Sequence, residues 1–120
     1  MWELAIKGQI ASAHYLRGYE GKCKNLHGHT WKIELFLQND KLNSVGLVED
    51  LSALRMKFTE FLKQIDHTNL NEHPAFLQVN PSVENISRFI YQEFQKQVSP
   101  LKITKVQVWE SDTASAIYYE

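Results

Sequence analysis

At 120 residues and 14.0 kDa, the chain is long enough for one domain with one core. Its 43% apolar and 22% charged content is ordinary globular usage, which excludes disordered and fibrous classes. Lys plus Arg is 13 against 14 Asp plus Glu, so the formal charge of -1 argues against a basic nucleic-acid face.

Cys23 is the single cysteine, which excludes an intrachain disulfide and points to a reduced, cytoplasmic setting. No apolar run approaches the ~18 residues of a membrane span. Met1 to Ala13 is interrupted by Glu3, Lys7 and Gln9, so it does not read as a targeting segment. Neither repeat nor linker is visible, and residues 1–120 are expected to form a single domain.

Trp2 to His14 alternates. Trp2, Leu4, Ile6, Ile10 and His14 share one face, while Glu3, Lys7 and Gln9 share the other, as in a half-buried strand. Gly8 is a candidate bulge. Tyr15 to Asn25 reads as a loop. Leu26 to Gln38 alternates again, with His27, His29, Trp31, Ile33, Leu35 and Leu37 on one face. These two strands are expected to form a long antiparallel pair.

Leu47, Val48, Leu51, Leu54, Phe58, Phe61, Leu62 and Ile65 recur at helical spacing. Glu49 and Asp50 mark the helix start and Gln64 its end. Asp66 to Asn80 is a connection rich in Asn, His and Pro. A second helix opens near Pro81 and Ser82, carries Val83, Ile86, Phe89, Ile90 and Phe94, and stops before Pro100. Two strands, Ile103 to Glu110 and Ala114 to Tyr119, close the chain. The order β-β-α-α-β-β predicts an α+β fold with an antiparallel sheet and helices on one face. The other sheet face needs cover, so self-association is expected.

The histidines carry the chemistry. His27 and His29 are two apart in a strand and point the same way. His14 ends the strand expected to pair with theirs. Three neutral imidazoles leave a tetrahedral zinc one open position, the arrangement of a catalytic site. Cys23, four residues before His27, is either a fourth ligand or a thiolate base beside the metal, its flanking Lys22 and Lys24 favouring the thiolate. Asp66 beside His67 reads as an acid–base pair or as a helix-end capping cluster. Glu110 follows Val106 and Val108 on an apolar face and needs a partner, such as a ligand with paired N–H donors. Glu84 sits in the first turn of the second helix, where it complements the dipole.

These segments in order resemble the family of 6-pyruvoyltetrahydropterin and 6-carboxytetrahydropterin synthases. The matches are Ala11-Ser12-Ala13-His14, Cys23-Lys24-Asn25-Leu26-His27-Gly28-His29, Gly46-Leu47-Val48-Glu49-Asp50, Asp66-His67-Thr68-Asn69-Leu70-Asn71, Pro81-Ser82-Val83-Glu84-Asn85 and Glu110-Ser111. Three residues between Cys23 and His27 look like the bacterial queuosine-pathway branch; the tetrahydrobiopterin branch typically has four. The family usually shows Thr where Ser82 stands, and members vary after Glu110.

The resemblance implies a tunnel-fold subunit whose sheets close a trimeric barrel, with two trimers stacked as a hexamer and sites at subunit interfaces. It implies zinc held by His14, His27 and His29, Cys23 as general base, and Asp66 with His67 as the proton-transfer dyad. Glu110 would anchor the pterin edge, with Ser82 and Glu84 assisting. The implied reaction converts 7,8-dihydroneopterin triphosphate to 6-carboxytetrahydropterin, releasing acetaldehyde and triphosphate. A 6-pyruvoyltetrahydropterin product, or a zinc-containing pterin-binding module without turnover, is the alternative. Arg17, Lys22 and Lys24 are candidates for the triphosphate.

Overall fold

The computed structural model describes residues 1–120. Its main elements are strands β1 (Trp2–His14) and β2 (His27–Asn39), helices α1 (Leu51–Leu62) and α2 (Val83–Val98), and strands β3 (Lys102–Ser111) and β4 (Ala114–Tyr118). The expected α+β order is present. The four strands form one antiparallel sheet in the order β1-β2-β3-β4.

Alternation decides the two faces. Ile6, Ile10, Ser12 and His14 of β1, with Trp31, Ile33, Leu35 and Leu37 of β2, are buried under the helices. Val106 and Val108 of β3 continue that layer. The helix α1 packs over β1, and α2 over β3 and β4. Phe58 and Phe61 of α1 meet Phe94 of α2 at ring-centroid distances of 5.0 and 5.2 Å, closing the core between the helices.

The opposite face carries Lys7, Glu34, Phe36, Lys105 and Trp109, and no element of the chain crosses it. Lys7 pairs with Glu34 at 3.7 Å, and the Lys105 ammonium sits 4.5 Å over the Phe36 ring. Phe36 remains half-buried there.

Gly8 is not a bulge. It pairs with Ile33 in an unbroken β1–β2 register. Its role is clearance: a Cβ there would lie 2.8 Å from Leu62 Cδ1 and 3.1 Å from Phe58 Cε2. The missing side chain lets α1 approach the sheet closely.

Helix α1 begins where Glu49 and Asp50 mark its start. The Asp50 side chain accepts from the N–H groups of Ser52 and Ala53, so Leu47 and Val48 precede the helix. Leu47 and Leu51 are exposed, whereas Leu54, Phe58, Phe61 and Leu62 form the buried stripe. A short 3-10 turn, Lys63–Ile65, ends this segment. Helix α2 starts where it is expected to open, with Ser82 as its cap: Ser82 Oγ accepts from Asn85 N–H.

The connection after α1 has a definite place. His67 N–H donates to Ala11 O at 2.6 Å and Ala13 N–H to Thr68 O at 2.9 Å. Residues 67–69 therefore line the free edge of β1, where Ala13 and Asn69 form a parallel bridge. Such cover blunts an exposed strand edge.

Candidate metal centre

His14 is the last residue of β1 and His27 the first of β2, and they are direct cross-strand partners. His29, opposite Ser12, lies two residues along the same face. The ring centroids are 4.6 Å apart for His14 and His27, 5.1 Å for His14 and His29, and 4.8 Å for His27 and His29. Trp31, fully buried, stands edge-on to His14 at 4.9 Å and tilted against His29 at 5.0 Å.

Backbone carbonyls orient two of the rings. His14 Nδ1 lies 2.6 Å from Pro81 O, and His27 Nδ1 lies 2.7 Å from Asn25 O. A carbonyl only accepts, so each Nδ1 carries the proton and each Nε2 of the neutral ring offers a lone pair. The Nε2 atoms of His14, His27 and His29 are buried without a hydrogen-bond partner. Burial holds the pKa of His14 below the usual histidine value, against the opposing pull of Pro81 O. Burial lowers His29 as well, against the attraction of Glu110.

Glu110 joins the three imidazoles. Its Oε1 lies 3.3 Å from His29 Nε2 and 3.9 Å from His14 Nε2. One donor atom from each of His14, His27, His29 and Glu110 falls within 4.8 Å of the others. The β3–β4 register shifts between Trp109 and Ser111, which leaves Glu110 as an extra residue on β3. A bulge at that point re-aims a side chain.

Cys23 stands outside this group. It lies half-buried in the 3-10 turn Lys22–Lys24, its carbonyl accepting from Leu16 N–H at 2.8 Å. The cluster forms from imidazole and carboxylate groups, with the Cys23 thiol outside it.

Asp66 and His67 meet side to side, with Asp66 Oδ1 2.9 Å from His67 Nδ1. The same oxygen accepts from Ala11 N–H at 2.8 Å. That backbone bond, followed by the His67 bond, holds the Asp66 carboxyl below its usual pKa. The pair is therefore tied to the edge of β1, and Asp66 also caps the 3-10 turn Lys63–Ile65, its N–H donating to Lys63 O. His67 adopts φ +56, a left-handed conformation that non-glycine residues rarely take, and its side chain is 80% exposed. His29 and His67 line one shallow depression with Ala11, Ser12 and Thr68.

A family model described as 6-pyruvoyl tetrahydropterin synthase matches residues 3–120. The chain belongs to this family.

Among relatives, the chain is 29% identical to the 6-carboxy-5,6,7,8-tetrahydropterin synthase of Synechocystis sp., covering 99% of this chain and 94% of that one. It is 31% identical to the human 6-pyruvoyl tetrahydrobiopterin synthase, covering 82% of this chain and 70% of that protein. The structure of Caenorhabditis elegans 6-pyruvoyl tetrahydropterin synthase superposes with a TM-score of 0.88 over 99% of this chain and 95% of that one, at 21% identity, and so shares the fold.

In this member of the 6-pyruvoyl tetrahydropterin synthase family, the donor set suits a divalent metal such as zinc. The Nε2 atoms of three imidazoles and a carboxylate oxygen face one point, and none of the three Nε2 atoms has a hydrogen-bond partner. Ser82 Oγ is engaged by Asn85 N–H, and Glu84 is exposed in the first turn of α2. Arg17 is anchored: its guanidinium donates to the carbonyls of Leu77 and Phe76.

Three supporting residues escaped the sequence reading. Buried Ser12 donates to Ile65 O at 2.5 Å and accepts from Thr68 N–H at 3.2 Å, fastening the Asp66 segment to β1. Asn71 exchanges two hydrogen bonds with the backbone of Tyr15, at 2.9 and 3.0 Å, just past His14. Pro81 orients His14 through its carbonyl, a role that side-chain identity cannot announce.

Proposed function

We propose that this chain is a zinc-dependent lyase converting 7,8-dihydroneopterin triphosphate to 6-carboxy-5,6,7,8-tetrahydropterin, with release of acetaldehyde and triphosphate. The observation that carries the reading is the convergence of the orphaned Nε2 atoms of His14, His27 and His29, in a chain whose family match spans 3–120. The full-length likeness to a protein named 6-carboxy-5,6,7,8-tetrahydropterin synthase and the three-residue Cys23–His27 spacing favour the carboxy product.

When bound, zinc supplies Lewis acidity that lowers the barrier to proton removal from the substrate side chain. The three imidazoles hold it, two of them fixed in tautomer by Pro81 O and Asn25 O. Cys23, free of the ligand set, takes the side-chain proton as thiolate. Asp66 receives Nδ1–H of His67 and leaves Nε2 to exchange a proton with substrate. Glu110 anchors the amino-pyrimidinone edge of the pterin, with Ser82 and Glu84 at the rim.

The exposed His67 ring and the uncovered sheet face suit an assembly in which neighbouring copies complete each site. The hexamer of two stacked trimers fits that requirement, and the single free thiol suits a cytoplasmic location.

The test is a mass-spectrometric assay of the zinc-loaded protein with dihydroneopterin triphosphate, trapping acetaldehyde. Acetaldehyde with 6-carboxytetrahydropterin supports the proposal. A 6-pyruvoyltetrahydropterin product without acetaldehyde assigns the other branch. No turnover with zinc bound assigns a pterin-binding module.

A further inference from the structure

The loop that carries Cys23 has no core of its own. Residues 15–26 include no buried residue, so hydrogen bonds rather than apolar packing decide where it lies. The loop closes on itself: Leu16 N–H donates to Cys23 O at 2.8 Å, and Asn25 N–H to Lys22 O at 3.2 Å. Its ties to the rest of the chain are few. Two come from Asn71, which bonds the backbone of Tyr15 at the root of the loop. The others meet at Arg17. Arg17 N–H donates to Asn80 Oδ1 and Asn80 Nδ2 donates to Arg17 O, both at 2.9 Å. The Arg17 guanidinium donates to the carbonyls of Phe76 and Leu77. Asn80 is fixed in turn, because Asn85 Nδ2 in the first turn of α2 donates to its carbonyl at 2.9 Å. Cys23 is thus hung from α2 through Leu16, Arg17 and Asn80.

We propose that Arg17 and Asn80 are positioning residues for Cys23: their paired hydrogen bonds hold its loop in place, and loosening them lowers turnover through the thiol. This inference rests on the proposed role of Cys23 as the base that takes the side-chain proton. A base must lie within hydrogen-bond reach of its proton. A displacement of about 1 Å in such a group can cost about 10²-fold in rate. A loop held by hydrogen bonds alone is free to shift that far once the Arg17–Asn80 pair is lost. The guanidinium braces the same point, with two of its N–H groups spent on backbone carbonyls. A triphosphate contact at Arg17 would act on KM, whereas a brace on the base acts on kcat. Asn80 is uncharged and bonds only the backbone of Arg17 with its side chain, so it separates the two roles.

The experiment measures kcat and KM for dihydroneopterin triphosphate in zinc-loaded wild type, Arg17→Ala, Asn80→Ala, the double variant and Cys23→Ala. In every chain that keeps Cys23, the single cysteine, its alkylation by iodoacetamide is followed by intact mass at fixed pH. The expected result is kcat lowered about tenfold or more in each single variant, with KM changed less than about twofold. The double variant loses no more than the worse single one, because both changes release the same tether. Alkylation is faster in all three, since the freed loop opens more often. Asn80→Asp, which keeps the acceptor and loses the donor, supplies the same readouts if Asn80→Ala does not fold. Unchanged kcat per folded chain, or unchanged alkylation, overturns the positioning role while an inactive Cys23→Ala leaves the base in place. A raised KM at constant kcat in Arg17→Ala alone also overturns it and makes Arg17 a triphosphate contact. Full activity in Cys23→Ala, or no turnover in wild type, overturns the proposed role of Cys23 and this inference with it.

Discussion

The Nδ1–H of His14 donates to the carbonyl of Pro81 at 2.6 Å, joining the last residue of β1 to the residue before the cap of α2. The bond fixes the tautomer of a ring only 1% exposed and turns its lone pair toward His27 and His29. A carbonyl that accepts from the far nitrogen of a metal-binding imidazole orients the ring and raises its basicity. It also makes His14 a structural residue as well as a candidate ligand, which separates its behaviour from that of His27.

His14→Ala and His27→Ala are both expected to lose zinc by more than the 10–100-fold typical of outer-shell changes. They differ in the metal-free protein. His14→Ala empties a buried position and leaves Pro81 O unpaired, so its Tm falls. His27→Ala removes a half-buried ring at the start of a strand and changes Tm little. Chelator competition and metal-free melting curves together check the pair.

Cys23→Ala is expected to keep zinc and lose turnover by about 10²–10⁴-fold, the usual contribution of a positioned base. The thiol lies outside the donor cluster, so metal stoichiometry is unaffected. Zinc lost along with activity would instead make Cys23 a ligand.

Stability is expected to decline as pH falls below about 6.5, the ordinary histidine value. His73 Nδ1 accepts from Ala75 N–H, and its Nε2 lies 3.2 Å from Gln64 Oε1. Burial lowers its pKa. The unfolded chain then binds a proton before the folded chain does, so folding is favoured above that pH and weakened as pH drops toward the folded value. His14 and His29 shift the same way when metal is absent. His73→Asn keeps a cap for Ala75 N–H without a titrating ring. Its metal-free Tm should fall less steeply between pH 7.5 and 5.5 than that of wild type; parallel slopes would remove His73 from the account.

Gly8→Ala is expected to destabilise the fold by about 1–3 kcal/mol, the range for overpacking a filled core. The added methyl meets Leu62 Cδ1 at 2.8 Å and two Phe58 ring atoms at 3.1 and 3.3 Å. Leu62 can shift its tip, but Phe58 is 1% exposed and has no room to move. Urea unfolding measures the loss, and zinc affinity of the folded fraction should match wild type.

Much of this was legible in the chain. The period-two patterns of Trp2 to His14 and Leu26 to Gln38 carry their own register, because a one-residue slip would bury Lys7 and Lys32 and expose Ile10 and Trp31. His27 and His29 share a face for the same reason. The caps at Asp50 and Ser82 are local hydrogen bonds within three residues, so the residue types announce them. Gly8 was misread because a glycine in a strand marks either a bulge or a close approach. The choice depends on α1, whose Leu62 lies 54 positions away.

The alternation and helical spacing settle the order of elements and put three histidines within reach of one point; these are local consequences of backbone geometry. Long-range packing settles the rest. Asp66 reaches Ala11, Ser12 reaches Ile65, and His14 reaches Pro81 across separations of 55, 53 and 67 residues. No local pattern encodes such pairings, since each depends on where an irregular connection crosses a strand edge. Glu110 is the clearest case. Its spacing from Val106 and Val108 shows the face it occupies, but only the bulge on β3 and the meeting of three strands bring its carboxylate against the imidazoles.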